Sequence, residues 1–219
     1  MMRRVWNGFT LLKIEKVSFV RMLLSFIVSL GLLLNLSGAE ERNREMGIVL
    51  VAVGEVSRDV VDRLKDDLSK VFNKQVSFGK GMSEPAYAFD QKRKQYLSTA
   101  ILKAMMKQKE YPPYEKVLGI VDHDLFVPEL NFVFGEAGSR AAVISLTRLR
   151  QAFYRLPQDQ DLFHRRVLTE AIHELGHTYG LGHCENPRCV MFFSNSLSDT
   201  DRKGPEFCPR CRKNLPGPK

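Results

Sequence analysis

The segment "HELGHTYGLGHC", residues 173–184, constrains this chain more than any other stretch of it. His173 and His177 are four residues apart, so on an α-helix their rings lie on one face, about one turn apart. Gly180 follows three residues later, and a glycine there lets the chain leave the helix in a conformation that other residues resist. The chain can then fold back and bring His183 to the same point. Three imidazoles hold one zinc ion and leave its fourth position open.

Glu174 adds a base to this predicted metal site. It follows His173 in the helix and can lean over the metal, where it could take a proton from zinc-bound water. The full pattern HExxHxxGxxH fixes five positions, which chance would match on the order of once in ten million starting positions. Solvated histidines on a surface helix would explain neither the glycine nor the third histidine. The segment therefore predicts a catalytic zinc rather than a structural one.

The four cysteines form a second cluster, and all of them follow His183 in the chain. Two pairs separated by a loop match a structural zinc site built from four thiolates, which is closed to chemistry. Two disulfides are the alternative, and export to an oxidising compartment would favour them. The cysteines are Cys184, Cys189, Cys208 and Cys211.

The rest of the chain alternates between strand-like and helix-like patterns, which predicts an α/β fold. Ser57 can cap the first helix, the second is expected from about Gln91 to Lys107, and the third begins near Asp161 and carries the histidines. The expected strands are Gly47–Val56, "KQVSFGKGM", "KVLGIVDHD", "ELNFVFGEA" and "RAAVISLTRL".

Residues 1–45 read as a leader. The apolar run Met22–Leu34 is too short to span a membrane as a helix, which needs about 20 residues, and it suits the h-region of a signal peptide. The leader is cleaved after Ala39, or it stays as an N-terminal membrane tether, or translation starts near Met46. The first two alternatives imply an exported or membrane-tethered protein and the third a cytoplasmic one. The folded domain is expected over 46–211, with a flexible tail at 212–219.

The charge of the chain argues against a nucleic-acid partner. The formal net charge is +8, and the excess of basic residues is spread along the chain. A nucleic-acid binder is expected to concentrate such charge on one stripe or face. No nucleic-acid partner is therefore expected, and the chain is separately expected to be a monomer.

These motifs give the chain a family resemblance. The long histidine motif resembles that of the metzincin metallopeptidases, whose zinc site lies over a methionine-containing turn, and Met191 is the candidate for that methionine. The motif runs straight into a cysteine, then a second cysteine, a methionine and a closing CxxC, and this order is similar to that of the archaemetzincin family. "GIVLVAVGEV" and "DLFVPELNFVFGEA" also look like that family.

The resemblance implies a compact metzincin-like α/β domain, with a twisted mixed sheet over the active-site helix and a C-terminal segment held by a four-cysteine zinc site. It implies that His173, His177 and His183 hold a catalytic zinc, that Glu174 is the base, and that the four cysteines hold a second zinc. The segment 131–137 would be a sheet edge that lines the cleft and pairs with an extended peptide. The substrate-edge residues would be Asn131, Phe132, Val133, Phe134 and Gly135.

The predicted function is therefore zinc-dependent hydrolysis of peptide bonds, through a zinc-bound water assisted by Glu174 and with a second, structural zinc. The alternative is a catalytically idle zinc-containing protein that binds a peptide in its cleft. Tyr179, Phe192 and Phe193 could line a specificity pocket or belong to the core.

Overall fold

Strand β1, Ile48–Val53, is almost wholly buried and is the first element of the computed structural model, which describes residues 47–111 and 113–215. Its β-branched and apolar residues suit a strand that is covered on both faces. The other strands are β2 (Val76–Phe78), β3 (Phe89–Asp90), β4 (Gln95–Leu97), β5 (Lys116–Val121), β6 (Leu125–Phe126), β7 (Gly135–Ala137) and β8 (Ala141–Ser145). The helices are α1 (Arg58–Phe72), α2 (Ser98–Met106), α3 (Gln160–Thr178), α4 (Leu197–Lys203) and α5 (Pro209–Lys213).

Five strands form one mixed sheet in the order β2-β1-β5-β8-β7. The first four are parallel, and β7 runs antiparallel to β8 at the edge. Strands β3, β4 and β6 form a second, small sheet. The mixed sheet with its helices confirms the predicted α/β class.

The sheet has a core on each face. Leu118 and Ile120 of β5 belong to the core shared with α1 and α3, whereas Val117 and Val121 belong to the core shared with α2. This alternation follows from the two-residue period of a strand. The helix that carries the histidines therefore packs directly under the sheet.

Helix α3 begins and ends at residues that are typical of helix termini. The carboxylate of Asp159, at the N-cap, accepts a hydrogen bond from the backbone N–H of Leu162 at 2.9 Å. Gly180 lies just beyond the C-cap with φ of +86°, in the left-handed region that stops a helix. The helix is thus long enough to carry both His173 and His177 on its last turns.

Two expected boundaries were wrong. Helix α2 begins at Ser98 rather than near Gln91, because the residues before it form strands β3 and β4. The turn between those strands is stabilised by Asp90, whose carboxylate accepts hydrogen bonds from the backbone N–H groups of Lys92 and Arg93. Lys94 completes the turn with φ of +58°.

The cleft-edge strand is also shorter than expected. Strand β7 starts only at Gly135, so residues 131–134 are outside it. Val133 forms a single bridge to Leu125 of the small sheet, whereas the carbonyl oxygen of Phe134 accepts a hydrogen bond from the N–H of Ser145 in β8 at 2.8 Å.

The described residues fall within one compact unit, Arg44–Lys219. Within residues 47–111 and 113–215, no helix has the length and apolarity that crossing a membrane requires. The predicted leader, its cleavage or tethering, the start at Met46 and the last residues of the predicted tail, 216–219, lie outside the described residues.

Truncation of a central core residue tests this packing. Leu118 has no exposed surface, so Leu118→Ala is expected to lower the free energy of unfolding by about 2–5 kcal/mol, through lost burial and a cavity. Urea unfolding of the zinc-loaded protein measures it. Leu156, which is 53% exposed, provides the control, and its change to alanine should cost no more than about 0.5 kcal/mol. Equal losses in the two variants would contradict the fold described.

Candidate active site

The three histidines of the long motif converge on one point. The Nε2 atoms of His173 and His177 are 3.1 Å apart, and one ring nitrogen from each of these residues and from His183 lies within 4.8 Å of the others. A tetrahedral zinc with Zn–N bonds of about 2.0–2.1 Å separates two such nitrogens by roughly 3.3 Å. The donor set and its spacing therefore fit one zinc ion.

Backbone carbonyl groups orient two of these rings. His173 donates a hydrogen bond from Nδ1 to the carbonyl oxygen of Val190 at 2.7 Å, and His177 donates from Nδ1 to that of Leu181 at 2.8 Å. Because a carbonyl oxygen only accepts, each Nδ1 carries the proton and each Nε2 keeps its lone pair. The two lone pairs face each other, which is the arrangement that a metal between them requires.

The turn after α3 brings in the third histidine. The N–H of Leu181 donates to the carbonyl oxygen of Gly176 at 3.1 Å, and the N–H of Cys184 donates to that of Met191 at 2.9 Å. These two bonds fix both ends of the short segment that contains His183. The side chain of His183 is exposed, and its ring lies 4.9 Å from that of Phe193.

Met191 packs closely against the helix. A Cβ atom added at Gly176 would lie 2.5 Å from the Met191 Sδ atom, so only a glycine admits this contact. Gly176 immediately precedes His177, and Met191 is fully buried. The methionine thus lies against the part of the helix that carries the histidines, where the sequence predicts the methionine turn.

The carboxyl group of Glu174 is buried between α3 and the edge strand β7. A Cβ atom added at Gly135 would lie 2.6 Å from Glu174 Cγ and 2.7 Å from Oε1. Gly135 is therefore the gap in the strand that accommodates the side chain. Burial raises the pKa of Glu174 well above its usual value, and the nearby charge of Glu170 raises it further.

A cavity of about 190 Å³ opens beside Glu174 and His173. One wall is the segment 130–135, and the other is formed by Phe193, Ser194 and Asn195. All five residues expected to form the substrate edge line this cavity, although only Gly135 belongs to β7. The sequence indicated Phe193 as either a pocket or a core residue, and it did not single out Ser194 or Asn195.

The surroundings of the three histidines favour neutral rings. Burial lowers the pKa of His173 well below its usual value, and the charge of Lys203 lowers it further. Partial burial is also the main cause that lowers the pKa of His177 and of His183. A neutral imidazole is the form that binds a metal.

The four cysteines form the predicted second cluster, and none of them is in a disulfide. Their Sγ atoms all lie within 4.8 Å of one another, and those of Cys184 and Cys208 are 3.9 Å apart. Zinc with four thiolates at about 2.3 Å separates two sulfurs by roughly 3.8 Å. Arg210 donates a hydrogen bond to Cys184 Sγ at 3.4 Å and so brings a positive charge to the cluster.

One thiol of the cluster is activated for metal binding. The backbone N–H of Cys211 and the neighbouring thiols lower the pKa of Cys208 to about 7, whereas burial raises the pKa of Cys189 and of Cys211. A thiolate can form at one position near neutral pH, and a metal binding there can displace the remaining protons.

No feature of the sequence indicated a buried ion pair behind His173. Lys203 Nζ lies 3.2 Å from Glu170 Oε1, and the two side chains are 0% and 3% exposed. Glu170 could have been suspected, because it precedes His173 by three residues and Glu174 by four and so shares their helix face. Lys203 had no such signal, since it comes from α4, which the sequence did not predict.

The chain matches the family model of peptidase family M54 over residues 44–216. It is 43% identical to an archaemetzincin from Methanocaldococcus jannaschii over 179 residues, which cover 78% of this chain and 93% of that protein.

Solved structures give the same likeness. The crystal structure of archaemetzincin from Methanopyrus kandleri matches with a TM-score of 0.67 at 39% identity, and the match covers 77% of this chain and 93% of that one. The crystal structure of a zinc-dependent peptidase from Methanocorpusculum labreanum matches with a TM-score of 0.70 at 31% identity, covering 78% of this chain and 100% of that one.

A methyl group at the gap in β7 should displace the Glu174 side chain. In Gly135→Ala the new Cβ would lie 2.6 Å from Glu174 Cγ, and relief to an ordinary contact requires a shift of about 1 Å. A crystal structure of the variant measures the shift, with the histidines expected to stay in place. In Gly138→Ala, on the same hairpin, the nearest atom would be 3.6 Å away, so this control should leave Glu174 unmoved. An unmoved Glu174 in Gly135→Ala would contradict the contact.

Proposed function

Because this chain belongs to peptidase family M54, the archaemetzincin family, and is a zinc metallopeptidase, we propose that Glu174 carries the proton in its peptide hydrolysis. The observation that carries the proposal is the position of the Glu174 carboxyl group. It is buried against Gly135 at the wall of the cavity, one residue after His173 in the helix. Glu170, the other carboxyl group that lines the cavity, is held by Lys203 and Thr200 instead.

We propose His173, His177 and His183 as the ligands of the catalytic zinc. Support comes from the short Nε2–Nε2 distance and from the two Nδ1–carbonyl hydrogen bonds, which leave the lone pairs facing one another. A zinc ion held there would supply an acidified water near neutral pH and would polarise the scissile carbonyl group.

Glu174 then moves one proton twice. Its carboxylate takes the proton from the attacking water as the bond between that oxygen and the scissile carbon forms. It returns the proton to the amide nitrogen as the carbon–nitrogen bond breaks, so that the leaving group departs as a neutral amine. Burial, which raises the pKa of Glu174, makes its carboxylate a stronger base than an exposed one, which suits both transfers.

The peptide substrate is proposed to bind along the wall 131–135 and strand β7. Strand β7 is at the edge of the sheet, and one side of it pairs with β8. An extended peptide can add to the free side of such an edge by main-chain hydrogen bonds. The cavity beside Glu174 would then receive a substrate side chain.

We propose the four cysteines as the ligands of a second, structural zinc. Support comes from the convergence of the four Sγ atoms and from the lowered pKa of Cys208. Four protein ligands leave no open position, so this ion would hold the C-terminal segment rather than act on substrate. The metallopeptidase domain would span 46–211 and include both sites.

Removal of the Glu174 carboxylate tests the proton carrier. Glu174→Gln keeps the shape of the side chain but cannot accept a proton, so kcat/KM for a peptide substrate is expected to fall by about 10²–10⁴-fold. Steady-state kinetics with a fluorogenic peptide measures this. Zinc content is expected to stay at two ions per chain, because the residue is not proposed as a ligand.

The exposed Glu55 provides the control for that substitution, and Glu55→Gln should retain wild-type kcat/KM. Wild-type turnover in Glu174→Gln would exclude Glu174 as the proton carrier. The catalytically idle alternative has a different signature, since wild-type protein would then bind members of a broad peptide library tightly and cleave none of them.

Loss of the second zinc should weaken the first. His183 is next to Cys184, whose N–H donates to the carbonyl oxygen of Met191 and whose Sγ lies 3.9 Å from that of Cys208. Cys208→Ser should therefore loosen the segment that holds the third histidine. The affinity of the histidine site for zinc, measured by competition with a chromophoric chelator, is expected to fall about tenfold. Glu206→Gln, at a carboxyl group that is 79% exposed, is the control and should have no effect. An unchanged affinity in Cys208→Ser would show that the two sites are independent.

A further inference from the structure

The buried pair of Glu170 and Lys203 lies directly behind a proposed zinc ligand. Lys203 Nζ is 3.3 Å from His173 Nδ1, the nitrogen that donates to the Val190 carbonyl oxygen. An ammonium group has only donors, and so has an Nδ1–H group. The contact therefore places two donors against each other in a buried environment, which is unfavourable unless a third group compensates it.

Glu170 and one backbone carbonyl group provide that compensation. Lys203 Nζ lies 3.2 Å from Glu170 Oε1 and donates to the carbonyl oxygen of Phe192 at 3.3 Å. Thr200 also donates to Glu170 Oε1, at 2.8 Å, and so fixes the carboxylate from the same helix that carries Lys203. The hydrogens of the ammonium group thus have acceptors other than the ring nitrogen of His173.

We propose that Glu170 and Lys203 are positioning residues that keep His173 in the tautomer that donates to the Val190 carbonyl oxygen. With Glu170 as its acceptor, the Lys203 ammonium does not donate to Nδ1, which keeps its own hydrogen and donates to Val190. Nε2 then keeps the lone pair that faces the metal. Without the Glu170 acceptor, the ammonium would donate to Nδ1, and the ring hydrogen would move to Nε2, where it blocks metal binding. The number of protons on the ring is the same in both states.

The pair differs from an ordinary structural ion pair in what it touches. Arg166 and Asp201 also join α3 to α4, through hydrogen bonds of 2.7 Å from both Nε and Nη2. Arg166 donates its third hydrogen bond to the Leu149 carbonyl oxygen, and none of its contacts among the described residues is with a histidine. A role limited to fastening the two helices would therefore be shared by both pairs, whereas control of the tautomer belongs to Glu170 and Lys203 alone.

The experiment uses full-length zinc-loaded and zinc-stripped protein with ¹⁵N-labelled histidine. The chain has only five histidines, so long-range ¹H–¹⁵N spectra can report the tautomer of each ring. In the wild type and in Asp201→Asn, His173 is expected as the Nδ1–H tautomer. In Glu170→Met, which removes the acceptor oxygens, it is expected as the Nε2–H tautomer, with zinc affinity at the histidine site lower by at least about tenfold.

The double variant separates tautomer control from a general loss of folding. Glu170→Met combined with Lys203→Met removes both charges, so the Nδ1–H tautomer and most of the zinc affinity should return. A wild-type tautomer and affinity in Glu170→Met would overturn the proposal, and so would a double variant no better than Glu170→Met. The proposal rests on His173 being a zinc ligand. Failure of that premise would show separately, as wild-type protein with no zinc bound at the histidines.

Discussion

The contact between the turn at Val190 and Met191 and helix α3 is the interaction on which the rest of the site depends. The Val190 carbonyl oxygen accepts the hydrogen bond that orients His173, and Met191 packs where Gly176 leaves room. The Met191 carbonyl oxygen in turn accepts from Cys184, next to the third histidine. Without this contact, α3 would present two histidines but neither a fixed tautomer nor the third ring.

That single contact also explains why the two clusters of metal-binding residues are adjacent. The chain must turn back after α3 to bring His183 to the first two histidines, and the turning segment has no core of its own. Four converging cysteines provide a point of attachment for it, and α4 adds the buried Lys203 against Glu170. Each element of the C-terminal segment thus contacts either the helix or a neighbour of a histidine. In this arrangement the local geometry of the catalytic centre is determined by parts of the chain that do no chemistry.

The sequence could predict the parts of the site that have fixed spacing. Helical geometry alone relates His173, Glu174 and His177, and a left-handed glycine at Gly180 explains how His183 follows. The gap at Gly135 could not be predicted, because nothing in the sequence pairs that glycine with Glu174, 39 positions away. Long-range contacts of this kind depend on the packing of the sheet edge over the helix, which no local pattern encodes.

Other differences between prediction and structure have local causes. The residues after Asp90 were expected to be helical. The Asp90 carboxylate instead accepts hydrogen bonds from the backbone N–H groups of Lys92 and Arg93, which favours a turn. The aromatic and β-branched run Phe132–Phe134 is typical of a strand, yet Val133 pairs with Leu125 of the small sheet rather than extending β7. The burial of Lys203 could not be predicted, because it depends on a helix that the sequence did not indicate.

Anomalous diffraction at the zinc absorption edge, from crystals of the purified protein, would test most directly whether one turn serves two metal sites. We expect two peaks per chain, one bounded by the Nε2 atoms of His173 and His177 with His183, and one at the centre of the four cysteine sulfurs. A single peak would contradict this arrangement, and so would cysteines joined in disulfides.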